Sequence, residues 1–285
     1  MKAVITGAGG QLGRALGSTV PAGWTVCGLQ RGELDITDAD AVMRLIDAER
    51  PDLVINAAAY TAVDRAESEA EAAEAVNAGA VRHLVAAAGR AGARLAHVST
   101  DFVFDGRTGR PYAPDAPTAP LGTYGRTKLA GEAAVGTGGL IVRTAWVYAA
   151  QGQNFVHTML RLMRERDEVC VVQDQIGTPT SATGLARAIW ALAADGAQGI
   201  FHYTDSGVAS WYDFAVAIQE EALALGLLDH AVPVIPVPTS EFPTPAARPA
   251  FSVLDKEATW RRLGWRAPHW RVALRTTLKD LKDHG

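Results

Sequence analysis

The chain has 285 residues, of which 48% are hydrophobic, and its 27 basic and 31 acidic side chains give a formal charge of -4. This length allows one large or two modest domains, and the hydrophobic fraction excludes a disordered chain. The slightly acidic balance argues against a surface built to neutralise nucleic-acid phosphates, so we expect no nucleic-acid partner.

Targeting and membrane-spanning segments are not expected. The first apolar run begins at Ala3 and ends in a glycine turn at Gly7, which leaves no room for a cleavable leader. No uncharged stretch approaches the ~20 residues that a membrane-spanning helix needs. Cys27 and Cys170 lie in apolar runs without metal-ligand spacing, and we expect both to be buried and unpaired. The sequence thus predicts a cytoplasmic protein with no membrane partner.

The first half of the chain alternates apolar runs with helical segments. The predicted strands are KAVIT, TVCGL, DLVINA, RLAHVS and LIVRTAW, and the segment AEAAEAVNAGAVRHLVAAAGRAG has apolar residues at helical spacing. This order predicts an α/β fold, a Rossmann-type doubly wound parallel sheet with helices on both faces.

The second half has fewer and less regular strands, which favours a smaller C-terminal lobe. We expect a dinucleotide-binding domain over 1–147, to which 178–205 returns, and a substrate-binding lobe over 148–177 and 206–285. Two proline-rich stretches, 112–120 and 232–249, are predicted to be ordered loops with extended backbone.

The first predicted strand runs directly into the glycine-rich turn ITGAGGQLG. Gly7, Gly10 and Gly13 have a spacing that lets the backbone approach a pyrophosphate at the positive end of a helix dipole. An ordinary tight turn is the alternative. The position of the motif after the first strand of an alternating chain favours dinucleotide binding.

The residues after the second strand bear on the choice of cofactor. Many NAD enzymes have an acidic residue there, whereas this chain has Gln30 and Arg31. Arg31 either pairs with the 2′-phosphate of NADPH or is a solvated surface residue, so we expect NADPH, with NADH as the alternative. Asp35 is either a cofactor contact or the N-cap of the following helix.

Tyr124 and Lys128 are four residues apart in YGRTKLAGE, which places both on one face of a predicted helix. A phenol titrates near pH ~10, so it transfers protons near neutrality only when a cation stabilises its phenolate. Lysine supplies that cation, and its other donors can hold a ribose. Thr100 and then Asp101 end the fourth strand, where parallel sheets bind ligands. A pair without function is the alternative, and the order of glycine turn, Thr100, Tyr124 and Lys128 favours catalysis.

The segments GAGGQLG, NAAAYTAVDRAE, STDFVFDG, YGRTKLAGE, RTAWVY, QDQIGTPT and RPAFSVLD, in this order, resemble the dTDP-4-dehydrorhamnose reductase family over nearly the whole chain. The resemblance implies an extended short-chain dehydrogenase/reductase that reduces the 4-keto group of dTDP-4-dehydro-β-L-rhamnose with NADPH or NADH. The product is dTDP-L-rhamnose, used for cell-surface polysaccharides. It also implies that Tyr124 donates the proton, that Lys128 tunes its pKa and binds the ribose, and that Thr100 polarises the carbonyl. Asp101 is expected to adjust the local proton affinity.

The same resemblance implies a cofactor set and a substrate set of residues. The cofactor set comprises the pyrophosphate turn, Arg31, two contacts near the adenine, the loop after the third strand and the pair on the predicted helix: Gly7, Gly10, Gln11, Leu12, Gly13, Arg31, Asp35, Ile36, Ala59, Tyr60, Thr61, Tyr124 and Lys128. The substrate set comprises Thr100, Asp101, Tyr124, Trp146 and Arg248. Trp146 matches a tryptophan that packs against the sugar, with a core indole as the alternative. Arg248 matches a partner for the nucleotide diphosphate, because a guanidinium fits phosphate geometry.

The chain also departs from the family pattern. Phe102 stands where many relatives have tyrosine, and Tyr60 where some have histidine. Some relatives dimerise through a magnesium ion held by glutamates on the first helix and on the helix after GTPT. Here QLGRALGSTV and SATGLARAIWALAA contain no acidic residue. We therefore expect no bound metal, and a monomer or weak homodimer.

Two other functions stay open on the sequence alone. One is another extended short-chain reductase, epimerase or dehydratase that acts on a nucleotide sugar. The other is a non-catalytic NADP-binding regulatory subunit of the same fold, such as that of methionine adenosyltransferase. The intact set of Thr100, Tyr124 and Lys128 favours an enzyme.

Overall fold

The computed structural model describes residues 1–284. In chain order its elements are β1 (Lys2–Thr6), α1 (Gln11–Ser18), β2 (Thr25–Leu29), α2 (Ala39–Glu49), β3 (Leu53–Asn56), α3 (Val63–Ala66), α4 (Ala70–Glu74), α5 (Ala80–Ala91), β4 (Arg94–Thr100), α6 (Thr123–Val135), β5 (Leu140–Thr144), β6 (Val147–Tyr148), α7 (Phe155–Glu165), β7 (Val169–Val172), β8 (Ile176–Gly177), β9 (Thr180–Ser181), α8 (Ala182–Ala194), β10 (Gly199–His202), β11 (Ala209–Ser210), α9 (Trp211–Leu225), β12 (Val234–Val237), α10 (Glu257–Leu263) and α11 (Trp270–His284). A π-helical turn, Ala75–Gly79, joins α4 to α5.

A six-stranded parallel sheet forms the centre of the molecule, in the order β10-β5-β4-β3-β1-β2. Successive side chains of a strand point to opposite faces, so each buried strand supplies two cores. On β1, Ala3 and Ile5 pack with α1 and α8, whereas Val4 packs with α2 and α5. The predicted α/β fold with helices on both faces is confirmed.

The chain leaves this sheet after β5 and comes back to it later. Helix α8 packs against α1, and β10 pairs in parallel with β5, so that Gly199 lies opposite Leu140. The helices α7, α9 and α11 enclose a separate hydrophobic core that includes Leu160, Phe214 and Leu274. The division into a dinucleotide-binding domain and a substrate-binding lobe stays a prediction at the residue bounds given above.

Two local expectations differ from the structure. The proline-rich stretch 232–249 contains β12, which pairs in parallel with β7; Pro236 is accepted because this is a two-stranded sheet with an open edge. Cys170 is exposed and Cys27 is half-buried, so neither is buried as expected, and both are free thiols. No helix within residues 1–284 is long and apolar enough to cross a membrane.

Helix α6 lies close to the π-helical turn Ala75–Gly79, and its first turn is capped by the side chain of Glu67. A Cβ atom at Gly131 would lie 2.2 Å from the carbonyl oxygen of Asn77, so a larger residue would push the helix away. Gly122, the N-cap of α6, offers no side chain. The carboxylate of Glu67 instead accepts from the backbone N–H of Thr123 at 2.7 Å and from its hydroxyl at 3.0 Å. A carboxylate at this end of a helix is favourable because it meets unpaired N–H groups.

Candidate active site

The carboxyl ends of the parallel strands bring distant segments to one edge of the sheet. β1 ends at the glycine turn, β3 at the loop carrying Tyr60, and β4 at Thr100. Open α/β sheets bind ligands at this edge. The predicted cofactor and catalytic segments therefore meet where a dinucleotide-binding sheet has its site.

The glycine turn has the close packing that its spacing predicts. Gly7 has a φ of 71°, and a Cβ atom at Gly13 would lie 2.2 Å from the carbonyl oxygen of Gly7. Gly10 is the N-cap of α1, which has neither a side-chain cap nor an acidic residue in its first turn. The first N–H groups of α1 are thus open to an anion, which fits a pyrophosphate.

The side chains of Gln11 and Leu12 contact other parts of the protein and are not free to bind a pyrophosphate. Leu12 is buried in the core, and the amide oxygen of Gln11 accepts from Asn154 Nδ2 at 2.9 Å. Gln11 Nε2 also donates to the carbonyl oxygen of Gln153 at 3.3 Å. These two residues can offer a phosphate only their backbone, while Gln11 ties α1 to the loop before α7.

The structure after β2 contradicts one alternative for Asp35, the role of N-cap of α2. The N-cap of α2 is Asp38, whose carboxylate accepts from Ala41 N–H at 2.9 Å, and not Asp35. The Asp35 carboxylate accepts from the N–H and the hydroxyl of Thr37, at 2.9 and 2.7 Å, and these bonds lower its pKa. Asp35 therefore closes a tight turn.

Arg31 and Ile36 differ in what they offer a cofactor. Arg31 is exposed and forms no ion pair with the side chains in residues 1–284, so its guanidinium is available to a phosphate. Ile36 is buried in the core against α2 and α5.

The loop Ala59, Tyr60 and Thr61 is held in place by Asn77, which the sequence analysis did not single out. Asn77 Oδ1 accepts from Tyr60 N–H at 2.9 Å, and Asn77 Nδ2 donates to Tyr60 O and to Thr127 Oγ1, both at 3.1 Å. Asn77 lies in the π-helical turn, a feature often found at functional sites. This amide fastens the loop to α6.

Thr100 and Asp101 form a buried pair at the end of β4. Thr100 Oγ1 donates to Asp101 Oδ1 at 3.0 Å and accepts from the N–H of Phe102 at 3.2 Å. Burial raises the pKa of Asp101 to about 6, although side-chain hydrogen bonds from Ser252 and Thr100 act in the opposite direction. Asp101 can therefore change protonation near neutral pH.

Tyr124 lies next to this pair, at the start of α6. Burial raises the pKa of Tyr124 to about 12, a side-chain hydrogen bond with Thr100 lowers it, and the charge of Asp101 raises it further. Phe102, the departure from the family pattern, packs edge-on against the Tyr124 ring with 5.5 Å between centroids. The phenol is thus protonated at neutral pH and in contact with the hydroxyl of Thr100, as a proton donor requires.

Lys128 lies one turn further along α6 and is 2% exposed. Its Nζ donates to the carbonyl oxygen of Val98 at 2.6 Å and lies 3.5 Å from His97 Nε2. Burial lowers the pKa of Lys128 to about 8, whereas the charge of Glu132 raises it. Among the described residues, Val98 O and the His97 ring are its polar contacts, so the ammonium retains donors for a ligand.

Trp146 has a backbone conformation that tryptophan rarely adopts, with a φ of 47°. Its indole stacks on Trp211 with 3.6 Å between ring centroids and 9° between planes. Strained residues of this kind often occur at ligand sites. The indole is half-buried and packs against the hydrophobic core that includes Phe214, so its role as a sugar contact stays a prediction. Trp211 also borders the cavity described next, and no sequence motif had marked it.

A cavity of about 930 Å³ lies in the C-terminal part of the molecule, in the size range of small-molecule sites. Its lining includes Phe155, Arg161, Trp211, Phe242 and Arg248. It combines an apolar wall with three arginines and two acidic side chains, Asp167 and Glu168, and the apolar wall with the arginines suits an aromatic ring attached to an anionic group.

Arg248 lines this cavity but is already paired. Its two terminal nitrogens donate to the two carboxylate oxygens of Asp64, at 3.0 and 2.8 Å, and Nη1 also donates to Thr244 Oγ1 at 2.6 Å. The hydrogen bond from Arg248 lowers the pKa of Asp64. This bidentate pair joins α3 to the loop after β12.

Comparison with known proteins finds relatives that align with nearly the whole chain. The family model described as "RmlD substrate binding domain" matches residues 1–283. The chain is 45% identical to a dTDP-4-dehydrorhamnose reductase of Burkholderia thailandensis, with 99% of each chain covered.

Among solved structures, a dTDP-4-dehydrorhamnose reductase of Clostridium acetobutylicum superposes with a TM-score of 0.93 at 40% identity, covering 99% of this chain and 100% of that one. One from Bacillus anthracis, in complex with NADP, has a TM-score of 0.91 at 36% identity, covering 98% and 99%.

Proposed function

The chain belongs to the dTDP-4-dehydrorhamnose reductase family of NAD(P)-dependent oxidoreductases, and on that premise we propose which of its residues carry the reaction. The substrate is the 4-keto sugar of dTDP-4-dehydro-β-L-rhamnose, and the product is dTDP-L-rhamnose. The C4=O bond becomes C4–OH: C4 gains a hydride, and the oxygen gains a proton.

Tyr124 is the proposed proton donor. The observation that carries this assignment is that Tyr124, protonated and hydrogen-bonded to Thr100, lies on the same helix face as the buried cation Lys128. As the proton leaves, the positive charge of Lys128 stabilises the phenolate. Thr100 donates to Asp101 in the structure, and it turns this single hydrogen to the carbonyl oxygen of the sugar when the substrate binds. Asp101 then sets the charge around the hydroxyl.

The glycine turn and Lys128 are proposed to hold the cofactor. The open N-terminus of α1, after Gly10, accepts the pyrophosphate, and the spare donors of Lys128 bind a ribose hydroxyl. When bound, the reduced nicotinamide supplies the hydride. The exposed guanidinium of Arg31 supports a preference for NADPH over NADH, because it can bind a 2′-phosphate.

Trp146, Arg248 and the cavity are proposed to bind the nucleotide sugar. The stacked pair of Trp146 and Trp211 offers a flat apolar surface to the sugar, and the cavity offers space for the thymidine. Arg248 can meet the diphosphate because Asp64 already fixes the orientation of its guanidinium. The hydride acceptor would thus lie at the sheet edge and the nucleotide in the C-terminal part.

A monomer or weak homodimer without bound magnesium is also proposed. The support is the composition of α1 and α8, where the glutamates of metal-linked relatives have no counterpart. Light scattering with and without a chelator tests this, and a chelator-sensitive dimer would contradict it. A cytoplasmic location stays a prediction of the sequence.

One assay tests the proposed function. The purified protein receives the keto sugar made by the upstream dehydratase and epimerase, with NADPH deuterated at its transferable position or with the matching NADH. We expect one cofactor oxidised per sugar, deuterium at C4 of the product, and a higher kcat/KM with NADPH. An epimerase would leave the reduced cofactor unconsumed, and a regulatory subunit would give no turnover; either result would overturn the proposal.

A further inference from the structure

A chain of buried polar side chains runs beneath the active site, across three strands and into α6. Thr6, Asn56 and His97 lie on the neighbouring strands β1, β3 and β4, and each is 1% exposed. Thr6 Oγ1 donates to Asn56 Oδ1 at 2.7 Å, and Asn56 Nδ2 lies 3.0 Å from His97 Nδ1. The other ring nitrogen, Nε2, lies 3.5 Å from the ammonium of Lys128. The proposed function gives the first three residues no role.

The backbone N–H of Ala58 determines which side of the Asn56 amide carries the oxygen. The N–H of Ala58 is a donor only, and it lies 3.2 Å from the Asn56 side chain, so the atom facing it is Oδ1. The NH₂ group of Asn56 then faces His97, and its hydrogen requires a lone pair on Nδ1. The neutral imidazole of His97 therefore carries its proton on Nε2, on the edge that faces Lys128.

This tautomer has a consequence for the lysine. An Nε2–H group cannot accept a hydrogen bond, so the His97 ring offers the ammonium no acceptor. Within residues 1–284, Lys128 Nζ then donates to one acceptor, the carbonyl oxygen of Val98, at 2.6 Å. If the proton were on Nδ1, Nε2 would take a second lysine hydrogen. The Nε2–H form leaves two hydrogens of Lys128 for a ligand.

We propose that Asn56 fixes His97 in the Nε2–H tautomer and that His97 thereby acts as a positioning residue, keeping the donors of Lys128 free for the cofactor ribose and disfavouring the lysine proton. The proposal rests on the proposed function only in taking Lys128 as the ribose ligand. His97 is on β4, two strands away from β1 and its glycine turn. The proposal adds His97 to the residues that determine cofactor affinity and the pH range of activity.

The charges around Lys128 are consistent with this arrangement. On α6 itself, Glu132 lies one turn beyond Lys128, and β5 contributes Arg143, which pairs with Glu132 at 2.7 Å. From β4, His97 faces the ammonium and Asp101 follows at the strand end. The π-helical turn contributes the uncharged Asn77 and places its carbonyl against Gly131. Burial, and next the Lys128 charge, hold the pKa of His97 well below its ordinary value, so the ring stays neutral.

A second buried histidine provides a matched control. His202, on β10, lies 3.1 Å through Nδ1 from the carbonyl oxygen of Tyr112, an acceptor, and 3.4 Å through Nε2 from Arg143 Nη1, a donor. Its neutral ring must therefore carry the proton on Nδ1. Burial lowers the pKa of His202 to about 3. The two buried rings are predicted to be opposite tautomers in one protein.

The first test is the ¹⁵N NMR spectrum of histidine-labelled protein, which distinguishes protonated from bare ring nitrogens. We expect one buried Nε2–H ring, lost in His97→Gln, and one buried Nδ1–H ring, lost in His202→Gln. Both should keep their form from about pH 6 to pH 8. An Nδ1–H tautomer or a titrating ring for His97 would overturn the proposal. This reading does not depend on turnover.

The second test compares His97→Gln with His202→Gln. A glutamine amide can turn its oxygen to the ammonium, so His97→Gln should weaken NADPH binding by about 5- to 10-fold and move the basic limb of kcat/KM up by about one pH unit. His202→Gln should leave both unchanged. Unaltered NADPH affinity and pH profile in folded His97→Gln would overturn the proposal. Wild-type protein without reductase turnover would instead contradict the proposed function, and the spectrum would still decide the tautomer.

Discussion

Replacing Asp101 with asparagine is expected to stabilise the protein at neutral and alkaline pH. Asp101 is 2% exposed, and burial raises its pKa from 3.8 to about 6. Between these two values the folded protein binds a proton that the unfolded chain has lost, so the free energy of unfolding falls as the pH rises through this window. The shift of about 2 pH units corresponds to a cost of about 3 kcal/mol once the carboxylate is ionised.

Asp101→Asn removes this cost while keeping an oxygen that can accept from Thr100. Urea unfolding should therefore show the variant more stable than the wild type by up to about 3 kcal/mol at about pH 8, with the difference vanishing near pH 4. Asp205→Asn is the matched control away from Tyr124, because burial raises the pKa of Asp205 to about 7. It should also stabilise the fold, without altering turnover.

The pH profile of turnover should distinguish Asp101→Asn from Asp205→Asn. The charge of Asp101 raises the pKa of Tyr124, so Asp101→Asn should lower that pKa and shift the pH profile of turnover toward acid. A stability difference between Asp101→Asn and wild type that does not depend on pH would refute the reasoning. So would a wild type that is more stable than the variant at about pH 8.

Three further variants test the cofactor and substrate assignments. Arg31→Ala should raise the Kd of NADPH by about tenfold and leave that of NADH nearly unchanged, as measured by fluorescence titration; equal losses for both would contradict the 2′-phosphate role. Arg248→Lys should raise KM for the sugar nucleotide by about tenfold with the cofactor Kd unaltered, because an ammonium cannot keep the bidentate bond to Asp64; an unchanged KM would exclude it from the diphosphate site. Trp146→Leu should raise KM more than it lowers kcat, since it removes the stack on Trp211; steady-state kinetics with an unaltered KM would argue against a sugar contact.

The sequence predicted the parts of the fold that local pattern determines. Strands such as Lys2–Thr6 and Leu53–Asn56 lie within the predicted runs, because a buried parallel strand is a short apolar run bounded by turn residues. The strand within the proline-rich stretch was missed, because its pairing with Val169–Val172 depends on a segment more than 60 residues away.

In the site, too, local pattern predicts some residues, whereas others depend on contacts between distant segments. Thr100, Tyr124 and Lys128 follow from spacing and strand position, whereas the roles of Asn56 and His97 follow only from the order of β1, β3 and β4 in the sheet. Nothing in the sequence states which strands are neighbours.

The helix-cap alternative for Asp35 was wrong for a local reason, since two acidic residues lie within reach of the same helix start. Asp38 is three residues closer than Asp35 to the first turn of α2, and its carboxylate accepts from the N–H of Ala41. Asp35 alone was considered from the sequence.

Turnover of Tyr124→Phe tests the central claim most directly. The substitution removes one hydroxyl and keeps the ring that packs on Phe102. Tyr148→Phe is the matched control, a buried tyrosine whose hydroxyl donates to the carbonyl oxygen of Trp270. With NADPH and the keto sugar, Tyr124→Phe should lose turnover by at least about 100-fold while NADPH affinity stays within about twofold, and Tyr148→Phe should turn over normally. Near-normal turnover by folded Tyr124→Phe would contradict the account.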